Sequence, residues 1–86
     1  MGIIYITDAM FIRTKNLKVM EGKELKEDID VSPEVFNETL FSLIDKYDCS
    51  EIRIKGMKIF TTKLKEDIGK SLLNKYSDKE ITITLI

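Results

Sequence analysis

The sequence predicts a small mixed α/β (α+β) domain in which an antiparallel β-meander is followed by α-β-α-β, giving the order βββαβαβ. Three observations carry this expectation. The C-terminal half reads as strand, glycine, helix and strand, over Glu51–Lys55, Gly56, Thr61–Tyr76 and Glu80–Ile86. Two strands joined by a helical crossover of that length lie most readily parallel in one sheet, with the helix packed on a face by a right-handed connection. Ser32-Pro33 opens an earlier amphipathic helix, and the chain before it contains short β-branched and aromatic runs.

Ile3–Thr7 is β-branched and aromatic, and Met10–Lys15 resembles it after an Asp8-Ala9 break, so the two are expected to form antiparallel strands. Leu17–Met20 alternates apolar and polar residues and stops at Glu21-Gly22, a plausible third strand before a turn. Between Lys23 and Asp30 only Leu25 and Ile29 are apolar, and the segment reads as a loop.

The first helix is expected over Pro33–Tyr47. The Ser32 oxygen would cap free backbone amides, and proline at the first helical position gives up no needed donor. Phe36, Leu40, Leu43, Ile44 and Tyr47 form one apolar stripe, and Asp48-Cys49-Ser50 ends the helix. In the second helix Leu64, Ile68, Leu72, Leu73 and Tyr76 make the stripe, while Lys63, Glu66, Asp67, Lys70 and Asn74 face away. Gly69 falls inside that stripe at a cost of about 1 kcal/mol against alanine, which suggests close approach to the sheet, with simple tolerance as the alternative. In the last strand Ile81, Ile83 and Leu85 alternate with Thr82, Thr84 and Ile86.

Eighty-six residues are expected to form a single compact domain, 1–86. An apolar share of 43% beside 34% charged residues is the balance of a folded domain rather than a disordered chain. The longest apolar stretches, Ile3–Ile6 and Met10–Ile12, are far shorter than the roughly 20 residues of a membrane helix. No secretory leader pattern precedes them, so Met1 is expected to begin the mature protein, in a cytoplasm. The chain has one cysteine, Cys49, and no histidine. That removes the commonest general base and the sulfur and nitrogen shells of zinc or copper, leaving only oxygen-ligand metals. No cofactor is expected.

A net charge of −1 hides a segregation. From Glu21 to Glu51 ten acids stand against three lysines, a local balance of −7, whereas from Ile52 to Lys75 seven bases stand against two acids, a balance of +5. Such bipolarity can steer a partner, although solvated helices and loops commonly carry it too. The candidate partner-binding residues are Glu21, Glu24, Glu27, Asp28, Asp30 and Glu34.

The bend from Gly56 through Lys58 to Thr61-Thr62 lies where strand ends of open α/β sheets meet ligands. Free amides and the helix dipole there favour an anion, with Lys58, Thr61, Thr62 and Lys63 as the candidate residues. Neither GxxxxGKS nor GxGxxG is present, and a helix cap explains Thr61 or Thr62 equally. Cys49 stands among acids, which disfavour its thiolate and mark it as an inert small residue. Tyr5, Tyr47 and Tyr76 lie in apolar patterns and read as packing residues rather than stacking platforms for bases.

The order of elements, an antiparallel meander followed by alternating helices and strands, resembles the ribonuclease H-like fold over nearly the whole chain. That resemblance implies acids on the first strand, on the first helix and at the end of the fourth strand, together holding magnesium for phosphodiester cleavage. Asp8 and Glu38 match two of the places. The third carries Lys55-Gly56, and Asp8 sits at the end of its strand, so the acid set is incomplete for two-metal catalysis.

The leading expectation is therefore a non-enzymatic protein that binds a protein partner through its acidic surface. Carboxylates can imitate a row of phosphates, so an inhibitor that occupies the nucleic-acid-binding surface of a larger enzyme, of the kind mobile elements encode, fits the charge map. A pI near 5.4 does not favour direct nucleic-acid binding, and no membrane partner is expected. The alternatives are a degenerate or magnesium-dependent nuclease using Asp8 and Glu38, and self-assembly as a homodimer through an edge strand at Glu80–Ile86.

Overall fold

A computed structural model describes residues 1–8 and 13–86. Strand β1 (Ile3–Asp8) is the centre of a five-stranded mixed sheet. It pairs antiparallel with β2 (Lys15–Glu21), which pairs antiparallel with β3 (Glu24–Val31). A 3-10 turn at Pro33–Val35 leads into helix α1 (Phe36–Tyr47), and the chain re-enters the sheet as β4 (Glu51–Gly56), parallel to β1. Helix α2 (Lys58–Lys75) then crosses to β5 (Thr82–Leu85), parallel to β4. The strand order is β3-β2-β1-β4-β5, so the N-terminal meander and the crossover unit meet at β1 and β4, and β3 and β5 are the two edges.

Alternation within the strands divides the sheet into two faces. Ile4 and Ile6 of β1, Leu17 and Val19 of β2, and Ile52 and Ile54 of β4 are all buried completely beneath the helices. Phe36, Leu40, Leu43 and Ile44 of α1 and Ile68 and Leu72 of α2 complete the same core. The helices also touch each other: the Phe41 and Tyr76 rings meet edge to face with centroids 6.1 Å apart, and the Tyr76 hydroxyl donates to Asp45 Oδ1 at 2.7 Å. The opposite face of the sheet carries Tyr5, Lys18, Arg53 and Thr84, which registry aligns in one row across four strands.

The parallel β4–β5 pair and the mixed βββαβαβ class agree with the sequence expectation, but several boundaries differ. Met10–Ile12 of the expected second strand lie outside the described residues, and Arg13 and Thr14 form a bend. The segment read as a third strand, Leu17–Met20, belongs to the second strand of the meander. The segment read as a loop, Lys23–Asp30, is largely β3, joined to β2 by a two-residue turn in which Gly22 takes a φ of 62°. Its strand character was hidden because an edge strand needs only one hydrogen-bonded neighbour and can leave polar residues on both faces.

Helix starts also shifted. Ser32 places no side-chain hydrogen bond on the first helix; instead its carbonyl accepts from Val35 N in the 3-10 turn. Helix α2 begins three residues before Thr61, with Met57 at its N-cap, so neither threonine caps it. Leu73 is 79% exposed rather than packed with the rest of its stripe, and a Cβ on Gly69 would meet nothing within 4 Å. Close approach to the sheet is thus not the reason for that glycine. The position that does require glycine is Gly56, where a Cβ would lie 2.5 Å from the carbonyl oxygen of Asp8 on the neighbouring strand.

Candidate functional site

Edge strand β3 gathers most of the acids singled out in the sequence, but its alternation sends them to different surroundings. Glu27 turns toward the helices. Its Oε2 accepts from the Tyr47 hydroxyl at 2.6 Å and from Lys46 Nζ at 3.2 Å. The tyrosine hydrogen bond, then the lysine, hold the Glu27 carboxyl below its ordinary range. Glu27 therefore serves as an internal tie between the edge strand and the last turn of α1.

Asp28 and Asp30 lie on the open face. Both accept from one donor group, Asn16 Nδ2, at 2.9 Å and 3.0 Å. The Asn16 carbonyl oxygen in turn accepts from Lys18 Nζ at 2.8 Å, which orients the amide with its nitrogen toward the acids. The two carboxylates sit one inter-residue alternation apart, about 7 Å along a strand, with a common donor below and water above.

At the hairpin end, Lys26 Nζ contacts Glu24 Oε1 at 3.1 Å and Glu21 Oε1 at 4.0 Å. The hydrogen bond and charge of Glu24 raise the Lys26 pKa. Glu24 remains widely exposed, and Glu34 is exposed in the 3-10 turn beyond the far end of the strand. Four carboxylates, Glu24, Asp28, Asp30 and Glu34, thus face solvent along one margin of the molecule, while Glu21 is half-buried and Glu27 is engaged.

Sequence reasoning missed Asn16. Nothing in the sequence around a lone asparagine marks it as the donor for two acids twelve and fourteen residues away; that depends on the β2–β3 register, which pairs Asn16 with Asp30 and Lys18 with Asp28.

The candidate anion residues do not converge. Lys58 and Lys63 are five positions apart on α2, about 140° around a helix. Both are exposed, as is Thr62. Thr61 is 2% exposed, and its hydroxyl donates to the Lys58 carbonyl at 3.2 Å, so it is committed within the first turn. Met57, Ile59 and Phe60 give this end of the helix an exposed apolar character.

The places that the ribonuclease H-like resemblance singles out lie at the β1 end and on α1. Asp8 is paired with Gly56, and Glu38 is exposed in the first turn of α1. Among the described residues there is no group of three or more acids, cysteines or histidines close enough to hold a metal ion. Cys49 is fully buried with its Sγ near the Leu43 carbonyl at 3.7 Å, and burial pushes its pKa up to about 11. The main cause is desolvation, with the neighbouring acids Glu21 and Asp48 contributing less.

Geometry and charge together define a two-layer α/β domain with an acidic margin along one sheet edge. No protein-family model matches the chain, and a search of curated proteins finds no match either. No helix among the described residues is long and apolar enough to cross a membrane.

Proposed function

We propose that this chain is a non-enzymatic interaction protein whose acidic edge strand occupies a basic, nucleic-acid-binding surface of a larger protein. The observation that carries the reading is the pair of solvent-facing carboxylates Asp28 and Asp30 on one face of β3, with Glu24 and Glu34 exposed at either end of the strand. Asp28 and Asp30, two residues apart on one face of the strand, stand about 7 Å apart, about twice the 3.4 Å axial repeat of phosphates along one DNA strand. Carboxylates on such a strand can meet lysines and arginines arranged for a phosphate backbone. Asn16 supports this role because it holds Asp28 and Asp30 side by side from beneath while their outer oxygens stay open to a partner. An inhibitor of an enzyme that works on nucleic acid, of the kind mobile elements encode, is the use that suits this chemistry.

The test is capture of a basic partner by the wild-type chain and by the variant Glu24→Gln, Asp28→Asn, Asp30→Asn. Glu27 is left intact because its carboxylate belongs to the fold. Capture should weaken sharply in the variant, and duplex DNA should displace the partner from the wild type. Capture that is equal for both chains, with equal melting temperatures, would refute the proposal.

A further inference from the structure

The two edges of the sheet are built differently. Strand β3 carries charges along its length and a register irregularity opposite Val19 and Met20, features that discourage edge-to-edge pairing. Strand β5, Thr82–Leu85, has no charge, proline or bulge. Thr82 N donates to the Ser50 carbonyl and Ile86 N to the Ile54 carbonyl, each at 2.9 Å. Strand alternation therefore points the backbone N–H and C=O groups of Ile81, Ile83 and Leu85 outward, where no strand pairs with them among the described residues.

Beside that edge lies a groove of about 840 Å³ between α2 and β5. Glu66, Gly69, Lys70 and Leu73 line it from the helix, and Ile81 and Ile83 from the strand side. Two features unexplained by the monomer meet here: Leu73 is 79% exposed, and Gly69 faces open space.

We propose that this edge is the interface of a two-fold symmetric homodimer, in which β5 pairs antiparallel with β5 of a second copy and α2 packs against its counterpart. An isologous interface must be complementary to itself, and this one is. A two-fold axis level with Ile68, one residue from Gly69, sets Glu66 of one copy opposite Lys70 of the second copy, and the reverse pair forms by symmetry. The spacing also fits. Helix α2 lies over both β4 and β5. With strands about 4.8 Å apart and the axis midway between the paired edges, the two helices would run about 10 Å apart, the separation of packed helices. At that distance a glycine at the crossing leaves room for the Lys70 stem, and Leu73 enters an apolar seam with Ile81 and Ile83. The outward backbone groups of β5 find partners in the same step, yielding one continuous sheet through both copies.

This interface lies at the opposite edge from the acidic strand and is independent of the proposed function. The experiment is sedimentation velocity on the whole chain from micromolar to millimolar concentration, with circular dichroism as the control for folding. The wild type should pass from monomer to dimer. Leu73→Lys, a change at a position already exposed, should leave the spectrum intact and abolish the dimer. Lys70→Glu, which sets acids against acids, should weaken dimerisation about tenfold or more, and the reciprocal double variant Glu66→Lys, Lys70→Glu should restore it. A chain that stays monomeric at every concentration overturns the proposal. So does a dimer whose mass distribution is indifferent to both Leu73→Lys and Lys70→Glu.

Discussion

The Tyr47 hydroxyl donates a 2.6 Å hydrogen bond to Glu27 Oε2, joining the last turn of the first helix to an edge strand twenty residues earlier in the chain. Lys46 contacts the same oxygen from the adjacent position. These two side-chain hydrogen bonds anchor the acidic strand to the helical layer near its middle.

That contact predicts a specific pH dependence. Glu27 is held below its ordinary pKa, first by Tyr47 and then by Lys46, so on acidification the unfolded chain takes up this proton before the folded one does. The stability it contributes should be complete at neutral pH and should fade as pH drops from the ordinary carboxylate range through the depressed value. Melting curves of wild type and Glu27→Gln should differ most near neutrality and converge in strong acid. A constant gap across that range would disprove the linkage.

Gly56→Ala should destabilise the fold by about 2 kcal/mol or more. The added Cβ would meet the Asp8 carbonyl at 2.5 Å, and a backbone oxygen in a paired strand has little room to retreat. Urea denaturation of the two chains measures the difference.

Gly69→Ala should act in the other direction. Its Cβ would meet nothing within 4 Å and the residue lies inside a regular helix, so alanine should stabilise the monomer by about 1 kcal/mol through backbone propensity. Denaturation in dilute solution, below the concentration of any dimer, isolates that effect.

Cys49 should resist alkylation in the native state at mildly alkaline pH, because burial pushes its pKa up to about 11 and its side chain is fully enclosed. Reaction with iodoacetamide, followed by mass spectrometry, should become rapid only as urea opens the fold. Fast native modification would contradict the placement of this side chain in the core.

The apolar pattern of the sequence foretold much of the core. Phe36, Leu40, Leu43 and Ile44 recur at helical spacing and are buried in α1, and Ile52 and Ile54 alternate in a strand and are buried completely. These signals are legible because burial on one face imposes a period on the chain itself. Leu73 shows the limit of that reasoning: periodicity placed it on the apolar stripe, but only the breadth of the sheet beneath α2 decides where the stripe runs out, and Leu73 lies beyond it.

The candidate surface was less legible. Its acids were visible as composition, yet the segment bearing them read as a loop, since β3 buries little and its strand state depends on hydrogen bonds to β2. Composition treats Glu27, Asp28 and Asp30 alike. In the folded chain one is bonded to Tyr47 and the other two share Asn16.

Sequence by itself determined the class of the fold, the succession of its elements and the sign of charge along the chain, because periodicity, turn residues and composition are local properties. Tertiary structure alone decided that the acidic segment is a sheet edge, which of its acids face water, and that the uncharged Thr82–Leu85 strand forms the opposite edge. Those outcomes depend on strand order and register, which bring together residues far apart in the chain through backbone hydrogen bonds that nearly any side chain permits.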